Sequence, residues 1–135
     1  MSIFNIRAAI FSKLEELALD IPVFRANERK PQGVNKFAEA FILPNAPEPA
    51  TMGDTGRDRI VGILQINVNV PLNEGDGELL QLCDVFAQAF RVGLDLTYNN
   101  QEVAFFGGGV SGFQESNGLY QAILSFEFES QYSRT

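Results

Sequence analysis

The chain has 135 residues, 45% hydrophobic and 20% charged, with 12 Phe, one Cys, no Trp and no His, and a net charge of -7. This length predicts one domain over residues 1–135 that buries about 68% of its unfolded surface without needing a disulfide or a structural metal. Lacking histidine, the chain alone cannot build a Ser-His-Asp or Cys-His nucleophile, a histidine general base, or the usual zinc and haem ligand sets.

The charge is uneven. Residues 1–60 hold eight basic and eight acidic groups, whereas residues 61–135 hold only Arg91 and Arg134 against nine carboxylates and so carry the whole excess. Such a surface repels phosphate backbones, which argues against nucleic-acid binding as the main task. The longest charge-free stretch, residues 60–73, has 14 residues, short of the ~20 apolar ones a membrane helix needs. Arg7, Lys13, Glu15 and Glu16 interrupt any signal-peptide core. The expectation is therefore a protein made and used in a reducing cytoplasm, without a membrane partner. Cys83, inside the apolar run Leu82-Cys83-Asp84-Val85-Phe86, reads as a reduced core filler and not as a nucleophile.

Residues 3–18 predict an amphipathic helix, with Ile3, Ile6, Ile10, Leu14 and Leu17 at spacings of three and four. Phe4, Ala8, Phe11 and Ala18 widen the stripe, Ser2 is the N-cap candidate, and Asp20-Ile21-Pro22 ends the helix. Residues 21–27 and 37–43 predict strands. The turn between them, Glu28-Arg29-Lys30-Pro31-Gln32-Gly33, reads as a solvated loop in preference to an anion site. Residues 44–56 contain three prolines, two glycines and no periodicity, which predicts a long loop of a kind that is usually functional or disordered.

Residues 59–70 form the clearest strand. Ile60, Leu64, Ile66, Val68 and Val70 share one parity, and Gln65, Asn67 and Asn69 the other, so one face is buried and the opposite face carries uncharged amides. Pro71 stops the strand, and Asp76 is the N-cap candidate of a second helix over residues 78–92, with Gly93 as its C-cap. Residues 94–98 and 102–106 predict a hairpin around Asn99-Asn100-Gln101, and Gly107-Gly108-Gly109 is expected to break the second strand as a bulge or edge turn. Residues 110–114 resume extended structure before a turn at Ser116-Asn117-Gly118. The last strand spans residues 119–132, with Tyr120, Ala122, Leu124, Phe126 and Phe128 inward and Gln121, Ser125, Glu127 and Glu129 outward. The order predicts an α+β fold: a mostly antiparallel or mixed sheet with two helices packed on one face.

Glu127 and Glu129 share a strand face as a hydrolase's carboxylate pair would, but nothing in the sequence supplies a cleft, and the ordinary reading is a solvated face. The carboxylates Asp54, Asp58, Asp76 and Glu78 match no calcium-loop pattern. The glycine run lacks the GxxxxGK[ST] phosphate loop. Catalytic, cofactor and metal residues are thus expected to be none. Instead, the long loop, the Phe105-Phe106 pair beside three glycines and the amide-faced strand exceed what a monomer needs, and apolar groups at loops and sheet edges usually mark contact with another chain.

The stretch Gly62-Ile63-Leu64-Gln65-Ile66-Asn67-Val68-Asn69-Val70-Pro71, a glycine-containing turn, and the helix Leu79-Leu80-Gln81-Leu82-Cys83-Asp84-Val85-Phe86-Ala87-Gln88-Ala89-Phe90 resemble the tail terminator-like proteins of long-tailed bacteriophages. The resemblance covers most of the chain and implies a non-enzymatic assembly factor without cofactors. It implies a ring, in this family typically a hexamer, that binds the finished tail tube, stops its elongation and offers a surface to the head connector or neck protein. It also implies residence in the virion tail after assembly in the host cytoplasm. Interface candidates are Pro44, Pro47, Pro49 and Met52 in the long loop and Phe105 and Phe106 at the glycine run. Glu74, Asp76, Glu78, Glu127 and Glu129 are candidates for an acidic channel lining past which DNA slides without specific binding. The alternatives are another neck or tail-completion protein, a tube or sheath subunit, and a small carboxylate-dependent hydrolase.

Overall fold

The computed structural model describes residues 3–26, 28, 33–45, 48–49, 57–73, 75–99, 101–116 and 118–133; of 48–49, 57–58, 116 and 132–133 it describes the backbone. Two helices, α1 (Ile3–Glu16) and α2 (Gly77–Ala89), accompany strands β1 (Val23–Arg25), β2 (Phe37–Pro44), β3 (Glu48–Pro49), β4 (Arg57–Pro71), β5 (Asp95–Tyr98), β6 (Gln101–Ser116) and β7 (Leu119–Ser133). The strands form one sheet in the order β1-β2-β4-β7-β6-β5, with β3 joined to β4. Every pair is antiparallel except β1 with β2. This is the expected α+β arrangement.

Parity decides which face meets the helices. Ile60, Leu64, Ile66 and Val68 of β4 and Leu124, Phe126 and Phe128 of β7 are fully buried, and they pack with Ile6, Ile10 and Leu14 of α1 and Leu79, Cys83 and Phe86 of α2. Phe90 links the layers, its ring 5.1 Å from Phe105 and 5.6 Å from Phe126. Contacts of this kind contribute ~0.5–1.5 kcal/mol each beyond the area they bury. Phe11 is buried on α1 beneath the guanidinium groups of Arg7 and Arg25, 5.1 and 4.9 Å from its ring centre. Ile3 and Phe4, expected on the buried stripe, are exposed.

Several boundaries differ from the sequence reading. α1 stops at Glu16 because the Leu17 and Ala18 N–H groups reach back three residues, to the carbonyls of Leu14 and Glu15, and Ala18 turns to φ +48. α2 ends at Ala89 with Phe90 as its cap, and Gly93 instead donates its N–H to the Phe105 carbonyl at 3.0 Å. Sheet pairing therefore begins at the residue that was expected to cap the helix. Asp76 holds the N-cap position of α2 without a side-chain bond to the helix. Part of the expected loop at 44–56 is strand, since β3 pairs Glu48 with Arg59 and Pro49 with Asp58.

The glycine run does not break the chain into two strands. β6 continues through it and takes up the slack as two irregularities, between Phe105 and Gly107 and between Val110 and Gly112, as a bulge does. Gly108 is forced at this point: its φ is +153, and a Cβ there would lie 1.9 Å from the Ser125 carbonyl oxygen. The β5–β6 turn uses Asn99 at φ +49, and the β6–β7 turn uses Gly118 at φ +79. Both match the expected hairpins.

Candidate functional site

The sheet face away from the helices is covered by no element among the described residues. Across it, Leu43 lies opposite Ile63, Ile63 opposite Glu127 and Glu127 opposite Gly107, so one row crosses β2, β4, β7 and β6. Leu43 and Ile63 are exposed. A second row holds Phe37, Asn69, Gln121 and Gln114, and there the amides form a ladder. Gln114 donates to Gln121 Oε1 at 2.7 Å, Gln121 donates to Asn69 Oδ1 at 3.0 Å, and Asn69 Nδ2 faces the Phe37 carbonyl at 3.5 Å. The amides expected on a solvated face are thus in part sealed, with Asn69 only 2% exposed.

A second polar chain ties α1 to the sheet. Asn99 Nδ2 donates to Asn5 Oδ1, Asn5 Nδ2 to Gln101 Oε1, Gln101 Nε2 to Ser130 Oγ and Ser130 Oγ to the Glu102 carbonyl, over 3.5, 3.3, 2.9 and 2.7 Å. Among the described residues no buried side-chain nitrogen or oxygen lacks a partner. The buried members, Asn69, Gln101, Gln121 and Ser130, are structural, since polar atoms this buried must be paired.

The expected interface residues divide. Phe105 is a correction: it is 1% exposed, in ring contact with Phe90 and Phe128, and belongs to the core. Phe106, one residue later in the bulge, is 52% exposed and stands at the surface. Pro44 ends β2 opposite Gly62 and is half-buried. The Pro49 backbone lies in β3, while Pro47 and Met52 fall outside the described residues.

The acidic candidates occupy two places, not one. Glu127 and Glu129 lie on the uncovered sheet face, with Glu129 accepting from Gln131 Nε2 at 3.1 Å and 4.0 Å from Arg59 Nη1. Asp76 and Glu78 lie at the start of α2, where Glu78 holds Lys36 Nζ at 2.9 Å. Glu74 falls outside the described residues. Beside Glu129 is an open depression lined by Glu102, Ala104 and Gln131, and Glu127 does not line it. The hydrolase reading needs both carboxylates converging on one cleft, which this arrangement lacks. Among the described residues no three Cys, Asp or Glu side chains gather as a metal site would require, and no helix is long and apolar enough to cross a membrane. Cys83 is buried on α2, and desolvation, followed by the neighbouring Asp84 carboxylate, pushes its thiol pKa up.

Sequence reasoning placed Phe106 at this edge of β6 but missed the residues that continue it. Phe106, Val110 and Phe113 are exposed there, and Phe113 stacks on Tyr120 with ring centres 6.0 Å apart. The signal was present: residues 103–114 carry no charge and no proline, bounded by Glu102 and Glu115.

A solved structure designated only by a sequence identifier shares the fold, with a TM-score of 0.76 and 21% identity over 98% of this chain and 97% of its own. A search of curated proteins returned no match. The family model described as phage tail terminator protein matches residues 5–122, from the first turn of α1 to the start of β7. The chain belongs to the phage tail terminator family, and with it to the structural proteins that complete a bacteriophage tail.

Proposed function

We propose that this chain works as a tail terminator in the full sense: a closed ring of identical subunits, in this family typically six, that seats on the finished tail tube. Bound there, it stops further tube subunits adding and presents a surface to the head connector or neck protein. The observation that carries this reading is the family match over residues 5–122. The uncovered sheet face, with Leu43 and Ile63 exposed on it, and the exposed Phe106 support it, because a subunit that needs neighbours leaves apolar surface unsheltered. A ring requires unlike patches that meet head to tail and whose rotation closes.

Within the ring, the sheet face bearing Glu127 and Glu129 lines the lumen. Its carboxylates and amides repel or merely hydrate a passing DNA backbone, an effect that reaches ~8 Å at physiological salt. Asp76 and Glu78, on the helix side of the molecule, take no part in that lining.

The test is the mass in solution, followed by negative-stain microscopy with and without purified tail tubes. Closed rings that cap tube ends and hold tube length constant are expected. Unlimited polymers would identify a tube subunit instead, and a chain that stays monomeric with tubes present would overturn the reading. Charge reversal at Glu127 and Glu129 should slow DNA passage; unaltered passage would remove the lumen assignment.

A further inference from the structure

β6 is left half-paired. β5 covers it only from Gln101 to Ala104, and the contact closes with two backbone bonds, Gly93 N–H to the Phe105 carbonyl at 3.0 Å and Phe105 N–H to the Leu94 carbonyl at 2.8 Å. Over residues 107–116 the strand has β7 on one side and, among the described residues, no strand on the other.

A bare edge of that length presents a row of peptide donors and acceptors, and proteins ordinarily blunt such edges with lysine, proline or very short strands. None of these devices is present between residues 103 and 114. Exposed Phe106, Val110 and Phe113 flank the edge instead. Its two bulges are the one blunting device it carries, and they leave residues 107–110 and 112–116 in regular register.

We propose that residues 107–116 of β6 pair with the opposite sheet edge of a second copy of this chain, at β1 and the end of β2, so that the sheet runs on from subunit to subunit. The inference rests on the ring reading above and names the surfaces that make the ring.

Strand direction selects the partner. β1 runs parallel to β2, β2 antiparallel to β4, β4 to β7, and β7 to β6, so β6 runs opposite to both β1 and β2. Rotation about a ring axis keeps the sense of a strand along that axis. β6 therefore meets a neighbour's β1 and β2 antiparallel, the slightly more stable pairing, whereas β5 would meet them parallel. Among the described residues the receiving edge is also open. β1 flanks β2 only at residues 38–40, leaving residues 41–44, with exposed Leu43, beyond its end. Two unlike edges at opposite ends of one sheet form a head-to-tail contact, the kind that closes into a ring.

The test compares the wild-type chain with a Val110→Lys/Phe113→Lys double variant, by mass in solution with and without tail tubes and by amide hydrogen exchange. Both positions are exposed, so the variant should keep the wild-type far-UV spectrum and melt within a few degrees of the dissociated wild-type chain, the difference being the lost Phe113–Tyr120 stacking. The expected result is a wild-type ring in which the 107–116 amides exchange about tenfold or more slowly than in the dissociated chain. The double variant should stay monomeric at concentrations where the wild type is a ring. A wild-type ring with those amides unprotected, or a double variant that assembles as readily, overturns the edge pairing while leaving the ring reading intact. A symmetric dimer protected at 107–116 overturns the partner edge, because β6 then pairs with itself. A wild-type chain that stays monomeric with tubes overturns both readings.

Discussion

Gln121 on β7 donates its side-chain amide to Asn69 on β4, directly opposite in the register, at 3.0 Å, and the same Gln121 accepts from Gln114 at 2.7 Å. One residue thus holds together three strands of the face that no helix covers. Gln121→Ala strands the buried Asn69 oxygen and should lower stability by ~1–3 kcal/mol. Replacing both partners, Asn69→Leu with Gln121→Met, should cost less than the single change because the buried Asn69 amide goes with its partner, while Gln114, at the surface, turns to water and the Phe37 carbonyl loses only a long 3.5 Å contact. Urea denaturation of the two variants decides this, and an equal or greater loss in the double variant would show that packing, not pairing, sets the cost.

Phe105 and Phe106 are adjacent yet belong to different parts of the molecule, one in ring contact with Phe90 and Phe128, the other at the surface. Phe105→Ala should cost ~3–5 kcal/mol through the cavity it leaves. Phe106→Ala should change stability by less than ~0.5 kcal/mol, and any effect should appear in assembly. Thermal melts and sedimentation on both variants separate the two roles.

Among the glycines of β6, only some are demanded by the fold. Gly108→Ala must push a methyl into the Ser125 carbonyl and should destabilise by at least ~1–3 kcal/mol, the range for strained backbone held in place. Gly109 and Gly112 have nothing within 4 Å of an added Cβ, so alanine there should leave the melting temperature of the dissociated chain unchanged or slightly raised. Equal losses at all three would contradict the bulge geometry.

Burial raises the Cys83 pKa, with Asp84 adding to the shift. The fold consequently binds the thiol proton more tightly than the unfolded chain does, and stability falls as pH rises through the ordinary thiol range toward the folded value. Cys83→Ala should remove this alkaline component, read as a shallower fall of stability above about pH 8.5. In the native protein the thiol should react with a disulfide reagent far more slowly than in urea; equal rates would place it at the surface.

The fold was largely legible because its strongest elements obey a single period. The alternation Ile60, Leu64, Ile66, Val68 places β4, the inward set Ala122, Leu124, Phe126 and Phe128 places β7, and Leu79, Cys83 and Phe86 mark the face of α2, all buried as expected. What stayed hidden depends on partners far along the chain. Whether Phe105 or Phe106 turns inward follows from the bulge register against β7, which no local pattern encodes. A glycine run looks like a break until a neighbouring strand is seen to carry it across. Asn69 and Gln121 likewise look like solvated amides, because the bond that seals them spans 52 positions. The candidate site was legible as surplus apolar and amide surface, but its location at the β6 edge required knowing that β5 stops short.

The closeness of residue 108 to the Ser125 carbonyl has a bearing on how distant kin are to be aligned. Positions of the aliphatic strands can exchange Val, Ile and Leu at a modest cost, so they anchor an alignment poorly. A site that tolerates no side chain at all offers a fixed reference point. In homologues whose overall similarity has faded, the glycine facing that backbone oxygen is where the two final strands can be brought back into phase.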